Sequence, residues 1–113
     1  MASNSSISDY EELSTLISNK FSTLRAPYLE WANLARQAIQ GLHYNTHRLS
    51  ELEDFINVQR GELRKAVIVA SEHFEEALLV ELRNQAHMSK TAWKSLKKNR
   101  PITIKNGFSL VSY

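Results

Sequence analysis

Apolar positions along this chain recur at helical spacing nearly throughout. Tyr10, Leu13, Ile17, Phe21 and Leu24 follow one another at intervals of three and four, the repeat of one face of a helix. Ser8 and Glu11 form a capping box ahead of them, so a helix is predicted over about residues 8–26 behind a flexible polar tail, residues 1–7. Pro27 stops that helix and suits the first turn of the next. From there Tyr28, Ala35, Leu42, Leu49, Ile56 and Leu63 fall every seven residues, with Trp31, Ala38 and Leu52 three further on. This is a heptad seam, interrupted by Asn45 and Gln59 at its second core position.

The most apolar stretch is residues 63–96. Counting 100° per residue from Leu63, one broad face collects Ala66, Val67, Ala70, Phe74, Ala77, Leu78, Leu82, Met88, Ala92 and Leu96. Ile68, Val69, Leu79 and Val80 lie outside that face, so apolar surface wraps most of the way round and calls for neighbours on several sides. The run Val67, Ile68 and Val69 is too short for a strand among such good helix formers. Leu63, Val67, Phe74, Leu78, Glu81 and Leu82 are the candidate residues of a helical interface. Glu81 stands at the centre of the apolar face, and with Asn84 and Gln85 it reads as a polar group that sets register or marks where the core ends.

A single helix over residues 27–98 would be about 108 Å long, more than a 113-residue globule can cover by itself. Breaks are therefore expected. Residues 41–47 are rich in poor helix formers, and Ser50 with Glu53 offers a second capping box just beyond. Gly61 is the other candidate. The predicted helices are about 8–26, 27–44 and 48–98, with a possible break at 61. After Pro101 the period changes: residues 102–105 and 108–110 flank Asn106 and Gly107, a strong turn signal that predicts a C-terminal β-hairpin over residues 101–113. The fold class expected is mainly α, a helical hairpin or bundle with one long central helix and a short C-terminal β-hairpin. An extended coiled-coil assembly is the alternative.

Charge changes the picture more than composition does. Overall the chain carries +2, with 42% hydrophobic and 23% charged residues, ordinary for a soluble globular protein. Residues 1–81, however, hold all 12 acids and 7 of the 14 bases, a net −5, whereas residues 82–113 hold 7 bases and no acid, a net +7. Such asymmetry points to a partner. On a continuous helix, Arg83, Lys90, Lys94, Lys97 and Lys98 form a basic stripe, with Trp93 at its edge and Arg100 and Lys105 beyond. That stripe suits a phosphate backbone, an acidic surface of a neighbouring subunit, such as the clusters at residues 51–54 and 72–76, or plain solvent.

Little in the sequence supports catalysis. It has no cysteine, no glycine-rich phosphate loop and no Gly-x-Ser-x-Gly elbow. His43, His47 and Glu51 are spaced for one helix face but lie at an expected helix break and lack a fixed third ligand, so exposed histidines are the default reading. His73 and His87 sit at the margins of the apolar face. No cofactor, metal, catalytic residue, small-molecule substrate or membrane contact is expected. Without a leader-like or spanning segment, the expectation is a soluble cytoplasmic protein; the acceptor pattern at Asn4 would matter only on export. The functional expectation is a non-enzymatic, self-associating interaction or structural protein, either a homo-oligomer or bound to a protein partner. A small nucleic-acid-binding regulator or accessory factor is the alternative.

Overall fold

The structure, a computed structural model, describes residues 2–98 and Ile102. Among the described residues five helices follow in order: α1 Ala2–Thr23, α2 Arg25–Ile39, α3 Thr46–His73, α4 Glu76–Gln85 and α5 Lys90–Lys97. The mainly helical expectation holds, and α3 is the long central helix. The predicted β-hairpin over residues 101–113 lies outside the described residues, apart from Ile102, and no strand occurs among the described residues.

The first two helices run nearly end to end. Pro27 has no N–H to extend the hydrogen-bond ladder of α1, and the chain breaks one residue wide at Leu24, with Pro27 in the first turn of α2. α1 begins at Ala2, so residues 2–7, expected as a tail, are helical and Ser8 is an interior residue rather than a cap. Serine and asparagine cost only a few tenths of a kcal/mol each in a helix, roughly, once the amphipathic segment behind them is formed.

The hairpin turn falls where the weak helix formers stand. Gly41 adopts φ +73°, and the N–H groups of Gly41 and Leu42 donate to the Ala38 and Gln37 carbonyls at 3.1 and 2.9 Å, a Schellman ending. Asn45 then caps α3, its Oδ1 accepting from the Arg48 N–H at 3.0 Å. The capping box at Ser50 is therefore unused. Gly61 does not break α3; the helix passes through it, and its missing side chain faces open space.

Along α3 the paired partners climb in one direction as they descend in the other. Tyr10 meets Phe74 edge to face at 5.3 Å, Lys20 reaches Gln59 and Glu62, the Trp31 indole N–H donates to Glu53, and Glu30 pairs with Arg48. α1 and α2 thus form one limb of an antiparallel hairpin and α3 the other. The heptad seam is the hairpin's inner face: Trp31 and Ala35 from α2 join Leu49, Leu52, Ile56 and Leu63 from α3 in one core. Leu42 is exposed because it lies in the turn.

The stretch at residues 63–96 is not one helix. Phe74 and Glu75 take extended backbone and turn the chain into α4. A second Schellman ending at Ala86, with His87 at φ 56° and the Met88 N–H donating to the Arg83 carbonyl at 2.9 Å, turns it again. Ser89 caps α5 through the Ala92 N–H at 3.0 Å. α5 runs back along α3: the Trp93 indole donates to Ser71 Oγ, Arg64 Nε donates to the Lys97 carbonyl, and Asn57 holds Ile102. These folds bring Leu79, Leu82, Met88, Trp93, Leu96 and Ile102 onto the core that α3 began.

The result is a rod of 58 × 21 × 20 Å with a radius of gyration of 16.1 Å, against roughly 13 Å for a compact chain of this length. One end is thick, where α1, α4 and α5 surround the C-terminal half of α3. Among the described residues, the other end is a two-helix hairpin of α2 and α3.

Candidate interaction surfaces

The residues predicted for a helical interface separate into two sets. Leu63, Val67 and Leu82 are fully buried inside the molecule's own core, so they are not available to a partner. Phe74 is half-buried and Leu78 is 38% exposed, and both line a groove at the thick end. Glu81 is exposed. The sequence face that placed it among apolar residues presumed an unbroken helix; the turn at Phe74 and Glu75 resets the rotation, and α4 buries Leu79 and Leu82 instead.

The basic stripe is likewise divided. Arg83 is turned inward, pairing with Glu76 at 3.3 Å and lying 5.8 Å from the centre of the Trp93 ring, a cation–π contact. Trp93 is buried and hydrogen-bonded to Ser71, so it is a core anchor and not a stacking platform. Lys90, Lys94 and Lys97 remain together on the outer side of α5, with Lys98 at its end, all exposed. Arg100 and Lys105 lie outside the described residues.

The groove at the thick end has an apolar floor and an acidic margin. Tyr10, Leu13 and Leu16 of α1 face Val69, Phe74 and Leu78 across a space of about 1060 Å³. Asp9, Glu12 and Glu75 stand around it, with His73 beside them and no lysine or arginine in the lining. Burial, and then the nearby Glu81 carboxylate, push the Tyr10 hydroxyl above its usual range, so it stays neutral at physiological pH. The Tyr10 O–H donates to the Leu78 carbonyl, a long contact at 3.5 Å, and Ser14 donates to Gln85 Oε1 at 2.6 Å. These bonds tie α4 to α1 beside the groove.

A second surface runs along the thin end. Arg25, Leu29, Ala32, Arg36 and Ile39 succeed one another at spacings of four, three, four and three, one side of α2. Leu29 and Ile39 are 65% and 52% exposed. Beyond them Leu42 in the turn, and Phe55 and Val58 on α3, are also exposed. Neither surface was singled out by sequence periodicity. The signal was present in Leu16, Leu29 and Ile39, apolar residues outside the faces that organise α1 and α2.

His43 and His47 are exposed, and His47 Nε2 lies 3.8 Å from Glu51 as a surface pair. Among the described residues no three histidine, aspartate or glutamate side chains come together as a metal site. None of the described helices is long and apolar enough to cross a membrane. Compared with protein-family models, curated proteins and solved structures, the chain matches none.

Proposed function

We propose that this chain is a non-enzymatic helical interaction protein that self-associates, acting as a subunit or adaptor of a larger assembly. The observation that carries the reading is the exposed apolar surface of a thin rod. Among the described residues, nine large apolar side chains are 38–65% exposed, and most gather at the groove and along the two-helix end rather than standing singly. Three of the nine, Leu16, Val69 and Leu78, line the groove together, and apolar surface gathered in this way suits a contact with another macromolecule. Among the described residues the two-helix end has no third layer over its outer faces, and a second chain would supply one.

Light scattering coupled to size exclusion, run from low to high micromolar concentration, tests this. The mass is expected to rise with concentration above 13.0 kDa. A constant monomer mass across that range refutes self-association.

The alternative, a small nucleic-acid-binding regulator or accessory factor, draws its support from Lys90, Lys94, Lys97 and Lys98, which share the exposed side and end of α5. Its surface is smaller than the sequence suggested, since Arg83 and Trp93 are part of the core. Salt-sensitive binding of DNA or RNA that is lost in Lys94→Glu with Lys98→Glu would favour it.

A further inference from the structure

We infer that the self-association is head to tail: the side of α2 that carries Leu29 and Ile39 together with Arg25 and Arg36 in one copy docks into the acidic groove of the next. This rests on the self-association proposed above and names the surfaces that perform it. The two surfaces are complementary in both respects that matter at an interface. Leu29 and Ile39 supply exposed apolar side chains on one side of a helix, and Leu16, Val69 and Leu78 supply an apolar floor between helices, the arrangement of helix-in-groove recognition. Arg25 precedes the first set and Arg36 stands between Leu29 and Ile39 on the same side of α2, and Asp9, Glu12 and Glu75 stand around the second. Among the described residues none of these five charges has an ion-pair partner in its own chain.

The two surfaces cannot meet within one molecule. Glu30, next to Leu29, is pinned to Arg48 at the start of α3, while the groove takes in Val69 near its end. The 21 residue steps from Arg48 to Val69 span about 30 Å of rigid helix. A second copy is therefore the occupant that satisfies both surfaces at once. Because the patches differ, the contact is heterologous and repeats, giving a ring if the rotation closes and a filament if it does not. The lysines of α5 are a poorer match for the groove, since Trp93 and Leu96 beside them are buried and leave no apolar side chain to insert.

Charge reversal tests the assignment on exposed residues. One variant carries Asp9→Lys and Glu12→Lys, a second carries Arg25→Glu and Arg36→Glu, and a third carries all four; helix content by circular dichroism verifies that each folds. Light scattering is expected to show the wild type growing with concentration and shrinking with added salt. Each two-site variant alone should associate at least about ten-fold more weakly, because like charges face each other across the contact. Mixed together, the two variants place an intact strip against an intact groove and a reversed strip against a reversed groove, so the mixture should assemble again as alternating copies. The four-site variant should assemble again. A wild type that is monomeric throughout overturns both this inference and the self-association beneath it. If the wild type assembles but both two-site variants assemble equally well, or their mixture and the four-site variant stay as dissociated as either two-site variant alone, only the head-to-tail assignment falls.

Discussion

Truncating Leu63 and Leu78 in turn separates a residue that holds the monomer together from one proposed to meet a partner. Leu63 sits in α3 with no exposed surface, between the limb formed by α1 and α2 and the returning α5. Leu63→Ala removes three buried carbons and leaves a cavity that rigid helices on several sides fill poorly. Such a change costs about 2–5 kcal/mol, a large share of the roughly 5–15 kcal/mol that keeps a domain folded. Leu78 was grouped with Leu63 by helical periodicity, yet it is 38% exposed at the groove. Leu78→Ala forfeits mainly the buried part of its side chain and should cost about 1 kcal/mol of folding stability, while weakening self-association. Urea denaturation followed by helical circular dichroism, at a concentration low enough for the monomer, measures both. The reasoning fails if Leu63→Ala costs under about 1 kcal/mol, or if Leu78→Ala costs as much as Leu63→Ala.

Two further outcomes follow from polar contacts. Asn57 holds the Ile102 backbone at two points, accepting from its N–H at 2.7 Å and donating to its carbonyl at 2.9 Å; Asn57→Ala leaves both groups without that partner and should destabilise by about 1–3 kcal/mol, read by the same denaturation assay, with no change in the urea midpoint as the contrary result. In acid, Glu30 and Glu62 are the groups to watch, because hydrogen bonds from Arg48 and Lys20, respectively, hold their carboxyls below the usual range. A depressed folded-state pKa contributes stability above the unfolded value and loses it as pH falls through the folded one. The urea midpoint should therefore drop as pH falls below about 4.5, and Glu30→Gln with Glu62→Gln should flatten that drop; an unchanged acid profile in the double variant would contradict it.

Much of the hairpin was legible from local pattern. Trp31, Ala35, Leu49, Leu52, Ile56 and Leu63 keep one heptad register because they line the same seam, and Gly41 marks the turn because a left-handed residue at a helix end favours glycine. The capping boxes at Ser8 and Ser50 were misleading for a shared reason: a cap motif acts only where the chain leaves the helix, and at neither place does it do so. Of the interaction surfaces, the individual residues were visible but their grouping was not. The groove joins residues 9–16 to residues 69–78, and no spacing along the chain encodes that proximity.

What the sequence determined, then, is helix, the α2/α3 seam and the hairpin turn, consequences of periodicity and backbone preference acting over a few residues, together with the uneven charge of the two parts of the chain, which composition alone sets. Only the tertiary structure decided that residues 63–96 fold back twice. Around Phe74 and around His87 there is neither proline nor glycine, and local propensity favours continuing the helix. A straight continuation would leave Leu79, Leu82, Trp93 and Leu96 in water along an unsupported arm. Folding back buries all four against the core, at about 1.5–3 kcal/mol for each large apolar side chain, which outweighs the few kcal/mol of broken helix ladder and the left-handed backbone at His87. The same two turns withdraw Arg83 and Trp93 from the basic stripe and open the acidic groove beside Tyr10 and Phe74.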